Sequence, residues 1–353
     1  MKELNPNSKG IIFCYFHLFF FVEISNYYDY IIGMIKAEIN DTELNNHLSN
    51  INKDDMTVFV MADGRIRGAL FHGTRFVNQM RAQHKLGILE TMVLGQASLC
   101  SALMIPMMKG REHVCWKYEV DGPVEGFNVE ADSTGYVRGY LFQDHIPVDK
   151  PLENWDLAPF LGTGNSTVTT FHPGDKAPMV SSVEAVTKNI AKDLAWYYSQ
   201  SEQISTAFNT SIQLDKQGRV VGAGAMYLQV MPETGGKAKS GSNVTSSSDK
   251  MSNEELLENV ELAFRAAPSL GQWFSEGGNL EDMICGLFRE FKPTIALHRD
   301  IIYDCPCSKE SYIEKIKAFP KAQIDEIKNT DTGFVEICCR NCASVYKIPV
   351  AEI

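Results

Sequence analysis

The chain has 353 residues, of which 44% are apolar and 22% are charged, a composition typical of globular proteins rather than disordered or collagen-like ones. This length exceeds one compact core and predicts two or three domains. Lys and Arg number 33 against 44 Asp and Glu, so the formal net charge is −11, which argues against a general binder of nucleic-acid backbones. No unbroken apolar run reaches the roughly 18 residues that a membrane-spanning helix needs. We therefore expect neither a nucleic acid nor a membrane as partner.

The N-terminal segment differs from the rest of the chain. Residues 11–22 read IIFCYFHLFFFV and follow two lysines, which superficially resembles a signal peptide, but no small-residue cleavage site comes after them. We interpret residues 1–33 as spurious upstream translation with Met34 as the true start; a genuine signal or an interfacial anchor is the alternative. Residues 1–53 are therefore an extension of doubtful authenticity. The remaining sequence is typical of an intracellular protein and predicts a cytoplasmic location.

Residues 54–234 predict an α+β core domain built around antiparallel strands and helices. Asp63-Gly64 is a two-residue hairpin signal between two β-like runs. A long helical stretch follows over 74–109, broken near Gly87, and a second helix is expected over 182–200. The runs whose alternation and flanking turns predict strands are 57–62, 65–71, 113–120, 125–131, 136–142, 166–172, 207–214 and 219–231.

A polar segment separates this core from the C-terminal part of the chain. Residues 235–252 are rich in Gly, Ser and Lys and poor in apolar residues, which predicts a flexible polar insert. Ser252 and Glu255 have the spacing of a capping box, and apolar residues at helical spacing further on indicate an amphipathic helix. We expect a helical linker over 253–297, followed by a small module over 298–353.

Four cysteines of the last module lie in two close pairs, Cys305 with Cys307 and Cys339 with Cys342. Two such pairs can supply four thiolates to one tetrahedral zinc ion, with Zn–S distances of about 2.3 Å. A module of under about 60 residues cannot bury a large core, so the metal is its main source of stability. Structural zinc contributes on the order of 10–16 kcal/mol. Spacing alone indicates an inert zinc ribbon, although metal-bound thiolates stay deprotonated, which is the form that oxidants attack.

Cys338 is adjacent to Cys339, and the two cannot both be ordinary ligands of one four-coordinate site. A zinc knuckle favours two residues between its two ligands. Cys339 and Cys342 have this spacing, whereas Cys338 and Cys342 have one residue too many between them. Neighbouring side chains on a β-like run point to opposite faces. We therefore predict that Cys338 faces away from the metal.

The Cys-x-Cys-Ser-x-Glu motif from Cys305, and Cys-x-x-Cys from Cys339 with Tyr346 four residues after its second cysteine, resemble the tail of a known family. That family is the redox-regulated chaperones named heat-shock protein 33, and the resemblance runs from about residue 54 to the end of the chain. Upstream segments that look like family segments, in the family's order, begin at Asp63 (DGRIRG), Asp121 (DGPVEG), Gly135 (GYVRGY), Asp193 (DLAWYYSQSEQ) and Gly224 (GAMYLQVMP).

This resemblance implies an ATP-independent holdase chaperone rather than an enzyme. In the reduced state the four cysteines would hold one Zn²⁺ per chain, and the chaperone would be inactive. Oxidation would form the disulfides Cys305–Cys307 and Cys339–Cys342 and release the metal. The module and the linker would then unfold, exposing apolar surface that binds unfolded client proteins, and the active form would be a homodimer. The N-terminal extension and the polar insert depart from the family pattern.

Two other functions remain open at this point. A zinc ribbon that binds nucleic acid or protein without redox switching would need basic residues near the cysteines, and the lysines there are interspersed with acidic residues. A thiol–disulfide oxidoreductase using Cys339 and Cys342 would need a strand-to-helix context, whereas one β-like run enters this motif and another leaves it. Elsewhere no recognisable motif pairs a nucleophile with a base. Gly222-Ala-Gly224 opens no helix, unlike a dinucleotide-binding fingerprint.

Overall fold

A computed structural model of the chain describes residues 34–148, 154–231, 252–329 and 333–353. The predictions for the first 33 residues, and for the polar insert up to residue 251, lie outside these described residues. The described chain forms two compact units. The first unit contains Glu38–Tyr303, and the second contains Asp304–Ile353 together with the described N-terminal residues up to Ala37.

The first unit is a mixed α+β structure with two mainly antiparallel sheets, which confirms the predicted fold class. Its strands are β1 (Asp55–Met61), β2 (Ile66–His72), β3 (His113–Val120), β4 (Gly126–Asp132), β5 (Tyr136–Leu141), β6 (Gly164–Phe171), β7 (Met179–Ala185), β8 (Thr206–Leu214), β9 (Val220–Val230), β10 (Thr294–Arg299) and β11 (Ile302–Tyr303). One sheet has the order β10-β1-β2-β9-β8, and the other has the order β11-β5-β4-β3-β6-β7. The short strand β11 runs parallel to β5, which makes the second sheet mixed at that edge.

The helices of this unit pack against the two sheets. They are α1 (Thr42–Asn50), α2 (Thr74–His84), α3 (Ile88–Met104), α4 (Ala158–Leu161), α5 (Ile190–Tyr197), α6 (Asn253–Arg265), α7 (Leu270–Ser275) and α8 (Leu280–Leu287). Helix α3 continues into a 3₁₀ turn, and among the described residues Ile88–Met107 alone is long and apolar enough to cross a membrane. No such run was expected from the sequence. Because nearly all of its side chains are buried inside the protein, α3 is the central core helix of this unit.

Several elements differ from the sequence predictions. The helix expected over 182–200 begins only at Ile190, and the residues before it form the edge strand β7. Fully buried Asp193 explains this start, since its carboxylate accepts hydrogen bonds from the backbone N–H groups of Val186 and Thr187 and so holds the chain in a turn. The end of the expected helical linker forms β10, which pairs with the edge of β1. Helix α1 lies in a region for which no element was predicted.

The linker helices α6 to α8 cover one face of the first sheet. Their N-terminus is the predicted capping box, in which the Glu255 N–H donates to Ser252 Oγ over 3.2 Å. Apolar side chains from the helices and the sheet form one buried cluster, in which the rings of Phe59 and Phe288 stack with centroids 5.7 Å apart. Helix α7 lies so close to β9 that a Cβ atom at Gly222 would come within 1.9 Å of the Gly271 carbonyl oxygen. Close packing therefore requires a glycine at position 222.

The second unit is small and contains the four predicted cysteines of the module expected over 298–353, although the C-terminal segment of this unit begins at Asp304. Its elements are α9 (Lys309–Lys317), α10 (Lys321–Lys328), β12 (Phe334–Cys338) and β13 (Val345–Pro349). The two strands form an antiparallel hairpin in which Ile337 lies opposite Tyr346 and Cys338 opposite Val345. The buried apolar side chains of this hairpin are few, so the unit has a small core of its own.

Candidate metal centre

The two cysteine pairs lie at turns that the local sequence dictates. The first pair immediately precedes α9, whose N-cap Ser308 accepts a hydrogen bond from the Ser311 N–H over 3.1 Å. The second pair forms the turn between β12 and β13. Within that turn the Ala343 N–H donates to the Cys339 carbonyl over 2.7 Å, and the Cys339 N–H donates to the Ser344 carbonyl over 2.8 Å. These bonds close a tight loop around the second pair.

All four predicted ligands come together in the structure. Their sulfur atoms lie within 4.8 Å of one another, and the two contacts between the pairs are 3.9 Å from Cys305 to Cys339 and 3.4 Å from Cys307 to Cys342. Sulfurs at the corners of a tetrahedron about 2.3 Å from its centre would be about 3.8 Å apart. All four residues are buried. The cysteine cluster, as we call these four residues, therefore has the spacing and donor atoms for one tetrahedral metal ion such as zinc.

Cys338 lies outside this group. It is the last residue of β12 and is exposed, whereas its neighbour Cys339 is buried in the cluster. The alternation of side chains along a strand produces this difference. The geometry thus offers four sulfurs, and no fifth, to a metal ion among the described residues.

The crowding of four sulfurs has an electrostatic consequence. Hydrogen bonds to Cys339 from Cys305, and then from Cys307 and Cys342, lower the pKa of the Cys339 thiol by stabilising its thiolate. Hydrogen bonds with Cys305 and Cys339, which the neutral thiols of Cys307 and Cys342 make, raise the pKa of both thiols, and burial and the charge of Cys339 raise it further. Hydrogen bonds alone therefore favour a single thiolate in this group. Four thiolates at once require a bound cation.

Hydroxyl groups surround the sulfurs, and the sequence analysis did not predict their roles. The Tyr346 hydroxyl donates to the Cys307 carbonyl over 2.9 Å and lies 3.2 Å from Cys307 Sγ. Ser344 Oγ lies 3.2 Å from Cys342 Sγ. From the sequence, Tyr346 was noted only because its spacing from Cys342 resembles that of the family, and no contact of its hydroxyl group was predicted. Such groups around metal ligands orient them and tune their basicity.

The fold and the site define an α+β protein that carries a separate four-cysteine module able to hold a metal ion. The chain belongs to the Hsp33 protein family of chaperones, since the model of that family matches residues 54–349. Similar curated proteins are the 33 kDa chaperonin of Geobacter sp. strain M21, at 26% identity over 83% of this chain and 93% of that protein, and the 33 kDa chaperonin of Thermotoga maritima, at 28% identity over 83% and 93%.

A solved structure is also similar. The crystal structure of the 33 kDa chaperonin, or heat shock protein 33 homolog, from Thermotoga maritima matches with a TM-score of 0.71 and 26% identity. The match covers 85% of this chain and 96% of that chain. The fold of this chain therefore follows that of a solved Hsp33 homolog over nearly the whole of the latter.

Proposed function

We propose that this protein is a redox-regulated, ATP-independent holdase whose switch is the cysteine cluster. In the reduced state the four thiolates hold one Zn²⁺ per chain, and the protein binds clients poorly. The observation that carries this proposal is the gathering of four buried sulfurs within 4.8 Å of one another, in a chain of a chaperone family. When bound, zinc supplies a divalent charge that keeps the thiolates deprotonated and cross-links the module.

Oxidation removes the groups that retain the metal. The thiolates of Cys305 and Cys307 together give two electrons to hydrogen peroxide, which takes two protons from the solvent and becomes two water molecules, and one sulfur–sulfur bond forms. Cys339 and Cys342 react in the same way with a second peroxide. Each disulfide is neutral, so the negative charge that retains a cation is lost. The pairing within each close pair is taken from the family resemblance, because all four sulfurs are near enough to one another that distance does not select it.

The client-binding surface follows from how the linker helices pack. Apolar side chains of the first sheet, including those of Phe59, Leu70 and Met226, are fully buried beneath helices α6 to α8. Release of these helices would expose a continuous apolar face, which is the kind of surface that binds unfolded chains. We infer that unfolded proteins bind there after oxidation and that the active form is a homodimer. A cytoplasmic location suits the switch, because cytosolic reductants keep thiols reduced until stress occurs.

The chain context of the second pair supports a switch rather than an oxidoreductase. Strand β12 enters the Cys339–Cys342 turn and strand β13 leaves it, whereas a thioredoxin-like redox motif opens a helix.

One experiment tests the proposal. The zinc content of the reduced protein and its ability to suppress aggregation of a heat-unfolded client would be measured before and after peroxide treatment with mild warming. We expect one zinc per chain and weak suppression at first, then metal release and strong suppression. Strong suppression by the reduced, zinc-loaded protein would contradict the switch, and the absence of zinc would contradict the metal site.

A further inference from the structure

The N-terminal residues 34–37 belong to the same compact unit as the cysteine cluster. The Met34 N–H donates to the Cys305 carbonyl oxygen over 2.9 Å, and the Met34 side chain is buried. Lys36 Nζ lies 3.9 Å from Asp304 Oδ2, next to the first cysteine pair. We call Met34, Ile35 and Lys36 the strap.

The strap also reaches the second cysteine pair, through Ser344. The Ile35 N–H donates to Ser344 Oγ over 3.1 Å, and the same oxygen lies 3.2 Å from Cys342 Sγ. The Ser344 hydroxyl in turn donates to the Ile35 carbonyl oxygen over 3.4 Å. Ser344 is 2% exposed, so the hydroxyl exchanges these partners for water only if the strap moves away.

With Cys342 as a neutral thiol, Cys342 Sγ is the donor to Ser344 Oγ. When Cys342 is a thiolate, the hydroxyl is the donor of the pair, and a hydrogen bond to an ionised acceptor is stronger than one between neutral groups. A donor on sulfur spreads the thiolate charge and lowers its reactivity toward oxidants. Ser344 thus connects the backbone of the strap to one of the four sulfurs.

We propose that the strap and Ser344 stabilise the reduced, metal-holding state and so raise the oxidant level needed for switching. Ser344 is the positioning residue, and it acts through the Cys342 sulfur. The two cysteine pairs are separated by 31 residues in the chain. The strap bonds to Cys305 of the first pair and reaches Cys342 of the second pair through Ser344, so it adds a non-covalent cross-link between the two pairs. This inference rests on the proposed function, because it concerns the threshold of that switch.

Two truncated chains test the strap. One begins at Met34 and keeps it; the other begins with a methionine placed before Glu38 and lacks it. Zinc release to a chromophoric chelator during peroxide treatment would be timed, and the midpoint potential of the cysteines would be measured in glutathione buffers. We expect the chain from Met34 to match the full chain. The chain lacking the strap should release zinc about three- to tenfold faster, as loss of one or two hydrogen bonds implies.

Point variants keep the test decisive if the shorter chain misfolds. Ile35→Pro removes the N–H that reaches Ser344, whereas Ile35→Ala keeps it and changes only a half-exposed side chain. Ser344→Ala removes the hydroxyl, and Ser344→Thr restores one. We expect Ile35→Pro and Ser344→Ala to speed release similarly, the double variant to add little, and Ile35→Ala and Ser344→Thr to stay near the parent rate.

The outcomes separate this inference from the proposed function. If the full chain binds zinc and loses it on oxidation, but every variant releases it at the parent rate and potential, the strap inference fails and the switch stands. Additive effects of Ile35→Pro and Ser344→Ala would also overturn it, because they would place the two groups on separate routes. A full chain that holds no zinc when reduced would overturn the proposed function, and the strap inference with it.

Discussion

At the scale of single residues, the adjacent cysteines 338 and 339 differ sharply. Cys339 is buried in the cysteine cluster and Cys338 is exposed at the end of β12. We expect Cys338→Ser to keep one zinc per chain, because it removes a sulfur outside the cluster. Cys339→Ser should lose the metal and partly unfold the module, since three thiolates bind zinc far less tightly than four. Zinc titration with a competing chelator, together with circular dichroism, measures both effects. The opposite result would make Cys338 the ligand.

The four cysteines could be identified from the sequence as candidate metal ligands, because each pair has the short spacing that is typical of a metal site. The groups around them could not be predicted in this way. Ile35 and Ser344 are separated by 309 positions in the chain, and no local pattern relates them. Tyr346 stood out at a fixed distance from Cys342, but its hydrogen bond to the Cys307 carbonyl depends on how the two halves of the module fold together.

At the scale of elements, the packing of α7 on β9 depends on Gly222. A methyl group there would lie 1.9 Å from the Gly271 carbonyl oxygen, a backbone atom that cannot turn aside. Gly222→Ala should therefore displace α7 from the sheet and expose part of the apolar face even in the reduced protein. We expect higher binding of an apolar fluorescent dye and partial client binding without oxidant.

Gly286→Ala in α8 is the matched control, because a Cβ atom there meets nothing within 4 Å. A helical Gly-to-Ala change with free space should be neutral or stabilise the protein by up to about 1 kcal/mol. Equal dye binding by Gly222→Ala and Gly286→Ala would show that α7 tolerates the clash and would contradict the prediction.

A cluster of buried charged side chains on β3, β4 and β5 makes the stability of the first unit depend on pH. His113 Nε2 lies 3.2 Å and Arg138 Nη2 lies 2.6 Å from the same oxygen of Glu130. Burial alone would raise the pKa of Glu130, but the charge of Arg138 and the hydrogen bond from His113 lower it to about 2. Burial likewise opposes protonation of His113, and its hydrogen bonds to Asp132 and Glu130 outweigh that effect, so its pKa is raised.

The sign of each effect follows from linkage. Glu130 contributes on the order of 3 kcal/mol to the free energy of unfolding. This contribution is present above pH 4.5, the pKa of the group in the unfolded state, and it is lost as the pH falls toward 2. The stability that His113 contributes is present below pH 6.5, the pKa of the group in the unfolded state. It is lost as the pH rises through the raised pKa of His113 in the folded protein. We expect Glu130→Gln to lower Tm most between about pH 5 and 6. A Tm difference that stays constant from pH 3 to 9 would contradict this.

Two of the strands that were not predicted from the sequence share one cause. Strands β7 and β10 both lie at sheet edges, so each pairs with a single neighbouring strand. Strand β10 pairs with β1, which is distant in the chain, and strand β7 pairs with β6 across a long turn. Short edge strands carry little periodicity, so tertiary pairing decides them. By contrast, the break between α2 and α3, the capping box at Ser252 and helix α8 were correctly predicted because local patterns specify them.

At the scale of the whole molecule, the two units differ in what stabilises them. The first unit has an extensive apolar core, including the fully buried Trp116, Phe59 and Phe127. The second unit gathers a few apolar side chains around the β12–β13 hairpin, with Ile348 fully buried and Ile316 of α9 also buried. A core of that size cannot offset the chain entropy of about 50 residues. A metal ion held by the cysteine cluster, as proposed above, would provide the difference.

Removal of zinc from the reduced protein should therefore unfold one unit and leave the other intact. Hydrogen exchange would be followed amide by amide after treatment with a strong chelator at neutral pH under reducing conditions. We expect the amides of β12 and β13 to lose protection, because structural zinc contributes on the order of 10–16 kcal/mol to such modules. The amides of α3 should keep theirs, since that helix is buried in the core of the first unit. Retained protection in the hairpin would show that the second unit folds without metal, and simultaneous loss in α3 would show that the two units unfold as one.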